Sequence, residues 1–175
     1  STCQSDGATA LMALGADITL VSKSNERTID LADFYTTDGI MPHACESNEL
    51  LKEIIIPVFG AHSSYQRLAY RSAIDYPIVC AGVLLKPSLK NEIAEARIVV
   101  GAMGRSPLFL AQISSSLKGK KLNDTIAFKK AADASMDSSA TFAVHNVGAT
   151  LEYRCSMVSQ MVFQALEQTA ETIKA

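Results

Sequence analysis

IVCAGVLLKPSLKNEIAEARIVVGAMGRSPLFLAQISSSL, residues 78–117, holds the change of period that decides the fold. Ile78 to Lys86 and Ala94 to Met103 are apolar and rich in β-branched residues, and PSLKNE between them is a turn, so the two stretches read as adjacent strands. SYQRLAY (64–70) is a third strand upstream. From Ser106 the spacing becomes helical. Ser106 and Pro107 form a cap and first-turn pair before LFLAQISSSL, and Asn123 and Asp124 open a second helix through IAFKKAADASM. In a third helix, Leu151 to Ile173, a single stripe carries Val158, Met161, Val162, Ala165, Leu166 and Ile173, which should cap the sheet. Strands followed by helices predict an α+β class, here a three-stranded antiparallel sheet packed with three helices over 59–175.

Working outward, DGATALMALG (6–15) is a short helix whose opening Asp6 can accept from first-turn amides and whose Gly15 stops it. ADITLVSK, the turn residues Ser24 and Asn25, and RTIDL make a hairpin. Tyr35 to Asn48 has no period and reads as an exposed loop. Glu49 to Val58, ELLKEIIIPV, is β-branched up to Pro57, as expected of a strand buried on both faces. Residues 1–58 therefore form a first unit of helix, hairpin and strand.

A hydrophobic share of 48% is enough for one substantial core or two small ones. No apolar run reaches the roughly 18 residues of a membrane span, and the start STCQSD has no signal-peptide pattern, so a cytoplasmic protein is expected. Sixteen basic and 18 acidic residues, net charge −2, are spread along the chain, which argues against nucleic acid as a partner. Cys3, Cys45, Cys80 and Cys155 lie too far apart for a CxxC metal site and read as reduced thiols, with Cys3 the one to watch beside Ser5 and Asp6. There is no GxSxG, P-loop, GxGxxG or HExxH. The three histidines have no partner at a telling spacing, so no catalytic residue and no metal ligand is assigned.

Stretches taken in order carry more than any single motif. Ser5-Asp6 opens the helix that runs into ALMALGADITLVSKSNERTIDLADFY. Glu49-Leu50-Leu51 leads to Ile56-Pro57, Tyr65-Gln66-Arg67 leads to Arg71 and Asp75, and Glu152-Tyr153-Arg154 opens the last helix. At these separations the chain resembles the C-terminal part of the FAD-binding subunits of the molybdenum hydroxylases, the group of xanthine, carbon monoxide and nicotinate dehydrogenases. FYTTDGI, ELLKEIIIP and YRSAIDYPIV are most similar to the flavoprotein subunit of 4-hydroxybenzoyl-CoA reductase.

The resemblance implies FAD as cofactor and a split of labour among subunits. Substrate chemistry belongs to a molybdopterin-bearing large subunit, a small subunit carries [2Fe–2S] clusters, and the flavoprotein exchanges electrons with an external partner. Residues 1–58 would be the C-terminal part of the FAD-binding domain and 59–175 the flavoprotein C-terminal domain. The glycine-rich loops that cradle the pyrophosphate belong to an N-terminal segment outside this sequence. Ser5 and Asp6 match the family's Ser-Asp, whose carboxylate accepts from the flavin's sugar-like hydroxyls; an N-cap explains the same Asp. Leu51 matches an apolar residue against the isoalloxazine, or is a core leucine. Arg67 stands where many relatives have a lysine near the pyrimidine edge, or forms a surface salt bridge. Tyr65 could stack near the ring or simply half-bury on its strand. From a different class, a flavin-free α+β interaction module of a larger complex is the alternative reading.

Overall fold

The computed structural model describes every residue except 1–3, 37, 39, 58–59, 146–147 and 175. Cys3 and the expected domain boundary at 58/59 thus lie outside the described residues.

The first segment contributes helix α1 (Asp6–Ala13), strands β1 (Asp17–Val21) and β2 (Glu26–Asp30), the single turn α2 (Leu31–Phe34) and strand β3 (Leu50–Ile55). Ser5 caps α1, its Oγ accepting from Ala8 N at 3.1 Å. This corrects the expectation that Asp6 is the cap: Asp6 is already helical, which frees its carboxylate to point elsewhere. Gly15, at φ +69°, takes the left-handed turn that ends the helix and lets β1 begin. The predicted hairpin turn is present, Ser22 N donating to Asn25 O at 2.8 Å and Asn25 N to Ser22 Oγ at 3.1 Å.

The three strands form an antiparallel sheet in the order β2-β1-β3. β3 was expected to be buried on both faces, and that is overturned: all six of its residues are exposed. The reason is that β3 leans on β1 and no helix is laid over either of its faces among the described residues. An unbroken β-branched run marks a strand but cannot say whether a neighbour exists on both sides.

The second segment supplies β4 (His62–Leu68), β5 (Val79–Pro87), β6 (Ile93–Gly101) and β7 (Leu108–Phe109), then α3 (Ala111–Ser116), α4 (Thr125–Ala140) and α5 (Leu151–Lys174). The three expected strands pair as an antiparallel meander, and two-residue β7 extends it to the order β4-β5-β6-β7. The Ser106-Pro107 cap is incorrect. Leu108 and Phe109 pair with Val100 and Val99 instead, Leu110 N donates to Ile98 O at 2.9 Å, and α3 starts only at Ala111 without a side-chain cap. A short apolar LFL satisfies either period; the open edge of the buried strand β6 decides for the ladder. Asp124 caps α4 as expected, accepting from Ala127 N at 2.9 Å.

β5 and β6 are covered on both faces. Ala81, Val83, Leu85, Ile98 and Val100 join one core with Leu117, Phe128, Val158, Val162, Ala165 and Leu166 of the helical layer. Each such fully buried aliphatic side chain stabilises by about 1.5–3 kcal/mol before entropy is counted. Ser64 Oγ on β4 donates to Ala165 O at 2.7 Å and so ties α5 across that face. The opposite face receives α1, and Val99 joins Met12, Ala13, Ile18 and Leu20 in a second core. Glycines set that approach: a Cβ at Gly82 would stand 2.8 Å from Ala13 Cβ, and one at Gly101 2.6 Å from Cys80 Sγ and closer still to Thr9. Arg97 on β6 holds the far end of α1, donating from its Nη2 to Met12 O at 3.1 Å with its guanidinium 4.3 Å over the Phe109 ring.

Candidate functional site

Strand alternation decides which β4 side chains reach α1. Tyr65 is paired with Gly82 and Arg67 with Cys80, the residues over which α1 lies, so Tyr65 and Arg67 face the helix while Ser64 and Gln66 face α5. Asp6, in the first turn of α1, meets them there. Tyr65 Oη donates to Asp6 Oδ1 at 2.5 Å, and Arg67 Nε lies 3.2 Å from the same oxygen. A carboxylate in this position also complements the positive end of the helix dipole.

The Arg67 guanidinium does two jobs. Its Nη2 donates to Asp75 O, which anchors the 69–77 loop, while Nε is buried and has no hydrogen bond in good geometry among the described residues. The Asp6 side chain is 42% exposed, and both of its contacts among the described residues fall on Oδ1, which leaves Oδ2 without a partner among them. Beneath the carboxylate, Cys80 Sγ donates to Thr9 Oγ1 at 3.7 Å and Thr9 Oγ1 to Ser5 O at 3.1 Å. Burial, the nearby Cys80 thiol and the Asp6 hydrogen bond all push the Tyr65 hydroxyl up; burial also pushes up the Cys80 thiol, against the lowering effect of its polar neighbours Tyr65 and Thr9. Both groups therefore stay protonated, and Tyr65 can act toward Asp6 only as a donor.

Ser5, Asp6 and Arg67 are brought together; Leu51 is not part of the cluster. It lies on β3 opposite Leu20, 48% exposed, so the core-leucine reading does not hold for it. Arg67 does form an ion pair, as one of its two readings had it. A pair this exposed is worth no more than about 1 kcal/mol, so its geometry matters more than its energy. The Tyr65–Asp6 hydrogen bond went unseen in the sequence, because 59 residues separate the partners. Also missed was Arg154, which is 1% exposed and donates to the carbonyls of Ile78, Val144 and Ala102.

The chemistry of the donors and acceptors fits a flavin nucleotide. A half-open carboxylate is an acceptor for vicinal hydroxyls of a polyol chain, the Ser5 hydroxyl donates to no partner among the described residues, and the positive charge of the Arg67 guanidinium suits an electron-rich carbonyl edge. A hollow of about 540 Å³ between α3 and α4 holds none of these residues and lies on the other face of the sheet. A smaller one, about 200 Å³, is lined by Ala10, Ala13, Leu14, Ser63, Ser64, Tyr65 and Val83 and adjoins Tyr65.

The family model for the CO dehydrogenase flavoprotein C-terminal domain matches residues 63–169, and that for the FAD binding domain in molybdopterin dehydrogenase matches 1–59. The chain belongs to the FAD-binding medium subunits of the molybdenum hydroxylases. Among relatives in this family, the glyceraldehyde dehydrogenase medium chain of Sulfolobus acidocaldarius is 32% identical over 123 residues, 70% of this chain and 42% of that protein. A reconstituted CO dehydrogenase from Oligotropha carboxidovorans superposes with TM-score 0.84 at 26% identity, over 97% of this chain and 58% of that one. Quinoline 2-oxidoreductase from Pseudomonas putida 86 shares the fold, with TM-score 0.83 at 19% identity over 99% of this chain and 59% of that one. The chain thus spans roughly two fifths to three fifths of the length of the relatives it matches. Among its described residues no helix is long and apolar enough to cross a membrane.

Proposed function

We propose that this medium subunit holds FAD at the Ser5–Asp6–Arg67 cluster and relays electrons between [2Fe–2S] clusters of a small subunit and an external donor or acceptor. Bound FAD supplies one- and two-electron chemistry; the chain supplies position and electrostatics. Asp6 Oδ2 accepts from the polyol hydroxyls and Ser5 donates to them. Arg67 brings positive charge toward the pyrimidine edge, which favours the reduced, anionic ring. Leu51, exposed on β3, packs on the ring and keeps water off it. The organic reaction takes place on the molybdenum-bearing large subunit, and this chain contributes no acid or base to it. The two segments divide at 58/59, the first completing the FAD-binding domain and the second forming the C-terminal domain. Cys45, Cys80 and Cys155 are unpaired, which suits a reducing cytoplasm.

The observation that carries this reading is the meeting of Asp6 and Arg67 at 3.2 Å, on one oxygen of a half-exposed carboxylate whose other oxygen has no partner among the described residues. The test uses the complete flavoprotein subunit. Asp6→Ala should lower FAD retention at least tenfold while the apoprotein loses only a few degrees of melting temperature, since Ser5 keeps the helix cap and the loss is confined to the Tyr65 hydrogen bond and a half-exposed ion pair. Parallel loss of flavin and of apoprotein stability would assign Asp6 to the fold instead.

A further inference from the structure

The flavin reading makes Asp6 the polyol acceptor; the geometry points to Tyr65 and Arg67 as positioning residues that set where its carboxylate aims, an inference that rests on that reading. A first-turn Asp ordinarily samples several rotamers. Here Oδ1 is held from two directions, by the Tyr65 hydroxyl at 2.5 Å and by Arg67 Nε at 3.2 Å. A carboxylate pinned at one oxygen has one orientation left for the other, so Oδ2 is presented to the ligand without the entropy cost of ordering it on binding.

The two holders are themselves held. Tyr65 is half-buried against Cys80 and kept protonated, so its single proton goes to Asp6. Arg67 is fixed by its second contact, to Asp75 O, and Asp75 in turn receives Arg71 N at 3.0 Å and Tyr76 N at 2.9 Å on its carboxylate. The 69–77 loop, Arg67, Asp6 and Tyr65 therefore form one connected unit with the acceptor at its open end. A lysine in place of Arg67 reaches Asp6 or Asp75 O but not both, because it offers a point charge without a planar fork.

Flavin binding to the complete subunit separates this role from a purely structural one when FAD is compared with an analogue carrying a pentamethylene chain in place of the ribityl chain. Tyr65→Phe keeps the ring and removes only the hydroxyl. It should weaken FAD about tenfold, near 1.4 kcal/mol, and the hydroxyl-free analogue less than twofold. In an Asp6→Ala background the Tyr65→Phe effect on FAD should vanish. Arg67→Lys, which keeps the positive charge toward the pyrimidine edge common to both ligands and removes only the fork, should show the same selectivity at smaller size, and serves as the readout should Tyr65→Phe prove poorly folded. If Asp6→Ala weakens FAD selectively but the Tyr65 and Arg67 variants weaken both ligands alike, or neither, the positioning role is lost and the site stands. If Asp6→Ala itself leaves FAD affinity unchanged, the site falls and the positioning role with it.

Discussion

Glu49 joins the first sheet to the loop before β3 through charge. Its carboxylate takes Arg27 Nε at 2.7 Å, Arg27 Nη2 at 2.8 Å and Glu46 N at 2.8 Å, and its side chain is only 6% exposed. The Arg27 fork and the Glu46 amide hold its pKa down from 4.5 to about 2. With the folded value depressed, the stabilisation is complete above about pH 4.5 and drains away as pH falls toward 2. Urea midpoints across that window should therefore fall more steeply for the native protein than for Glu49→Gln; parallel curves would deny Glu49 this role. Arg154 acts differently. Its guanidinium collects carbonyls from the start of β5, from Ala102 at φ +67° and from the segment before α5, so truncation leaves buried acceptors without donors. Arg154→Ala should cost about 3 kcal/mol or more in denaturant unfolding. Neither role is visible in sequence, where Arg154 is one letter of an EYR motif and Arg27 one of a hairpin, since the partners are fixed only when distant strands close.

Among elements, the seat of α1 on β5 and β6 decides whether Asp6 reaches β4 at all. Adding a methyl at Gly101 pushes into Thr9 and Cys80, and at Gly82 into Ala13 and the Thr9 carbonyl, none of which is a flexible chain end. Gly82→Ala and Gly101→Ala should each destabilise by about 1–3 kcal/mol and lower flavin retention with it, while Gly60→Ala, where the methyl meets nothing within 4 Å, should do neither. Thermal melts of the three variants check this. A glycine inside an apolar strand is a legible sign of close backbone approach, and both stand in the stretch that set the fold class. Periodicity likewise located β4, β5, β6, α4 and α5, because long runs repeat their signal. It misplaced the start of α3 and the burial of β3, because two or three apolar residues obey either period and no local pattern reports what lies on a strand's far flank. The candidate site was legible only as Ser5-Asp6 and Arg67 in order along the chain, through the family resemblance; that Tyr65 meets Asp6 depends on β4 register, which a one-residue slip would reverse.

On the scale of the whole molecule, the two sheets are finished to different degrees. The β4-β5-β6-β7 sheet is sandwiched between α1 and the helical layer, whereas the β2-β1-β3 sheet ends in a strand whose outer backbone edge has no partner strand among the described residues. Along it Leu50, Leu51, Ile54, Ile55 and Ile56 are 44–74% exposed, with Lys52 and Glu53 cancelling in charge and no proline before Pro57. Such an edge is a template for pairing with another strand; a bulge at Lys52, between the Leu20–Leu51 and Thr19–Glu53 pairs, interrupts its middle, but the stretch from Ile54 to Ile56 carries neither charge nor proline. At rising concentration the chain by itself should therefore self-associate through β3. Ile54→Lys with Ile56→Lys places like charges along the edge and leaves Leu51 in place, so it should suppress association in sedimentation measurements. Because both side chains are already exposed, unfolding free energy should move by no more than about 0.5 kcal/mol. Unchanged association of the double variant would show that the contact between copies lies elsewhere on the surface.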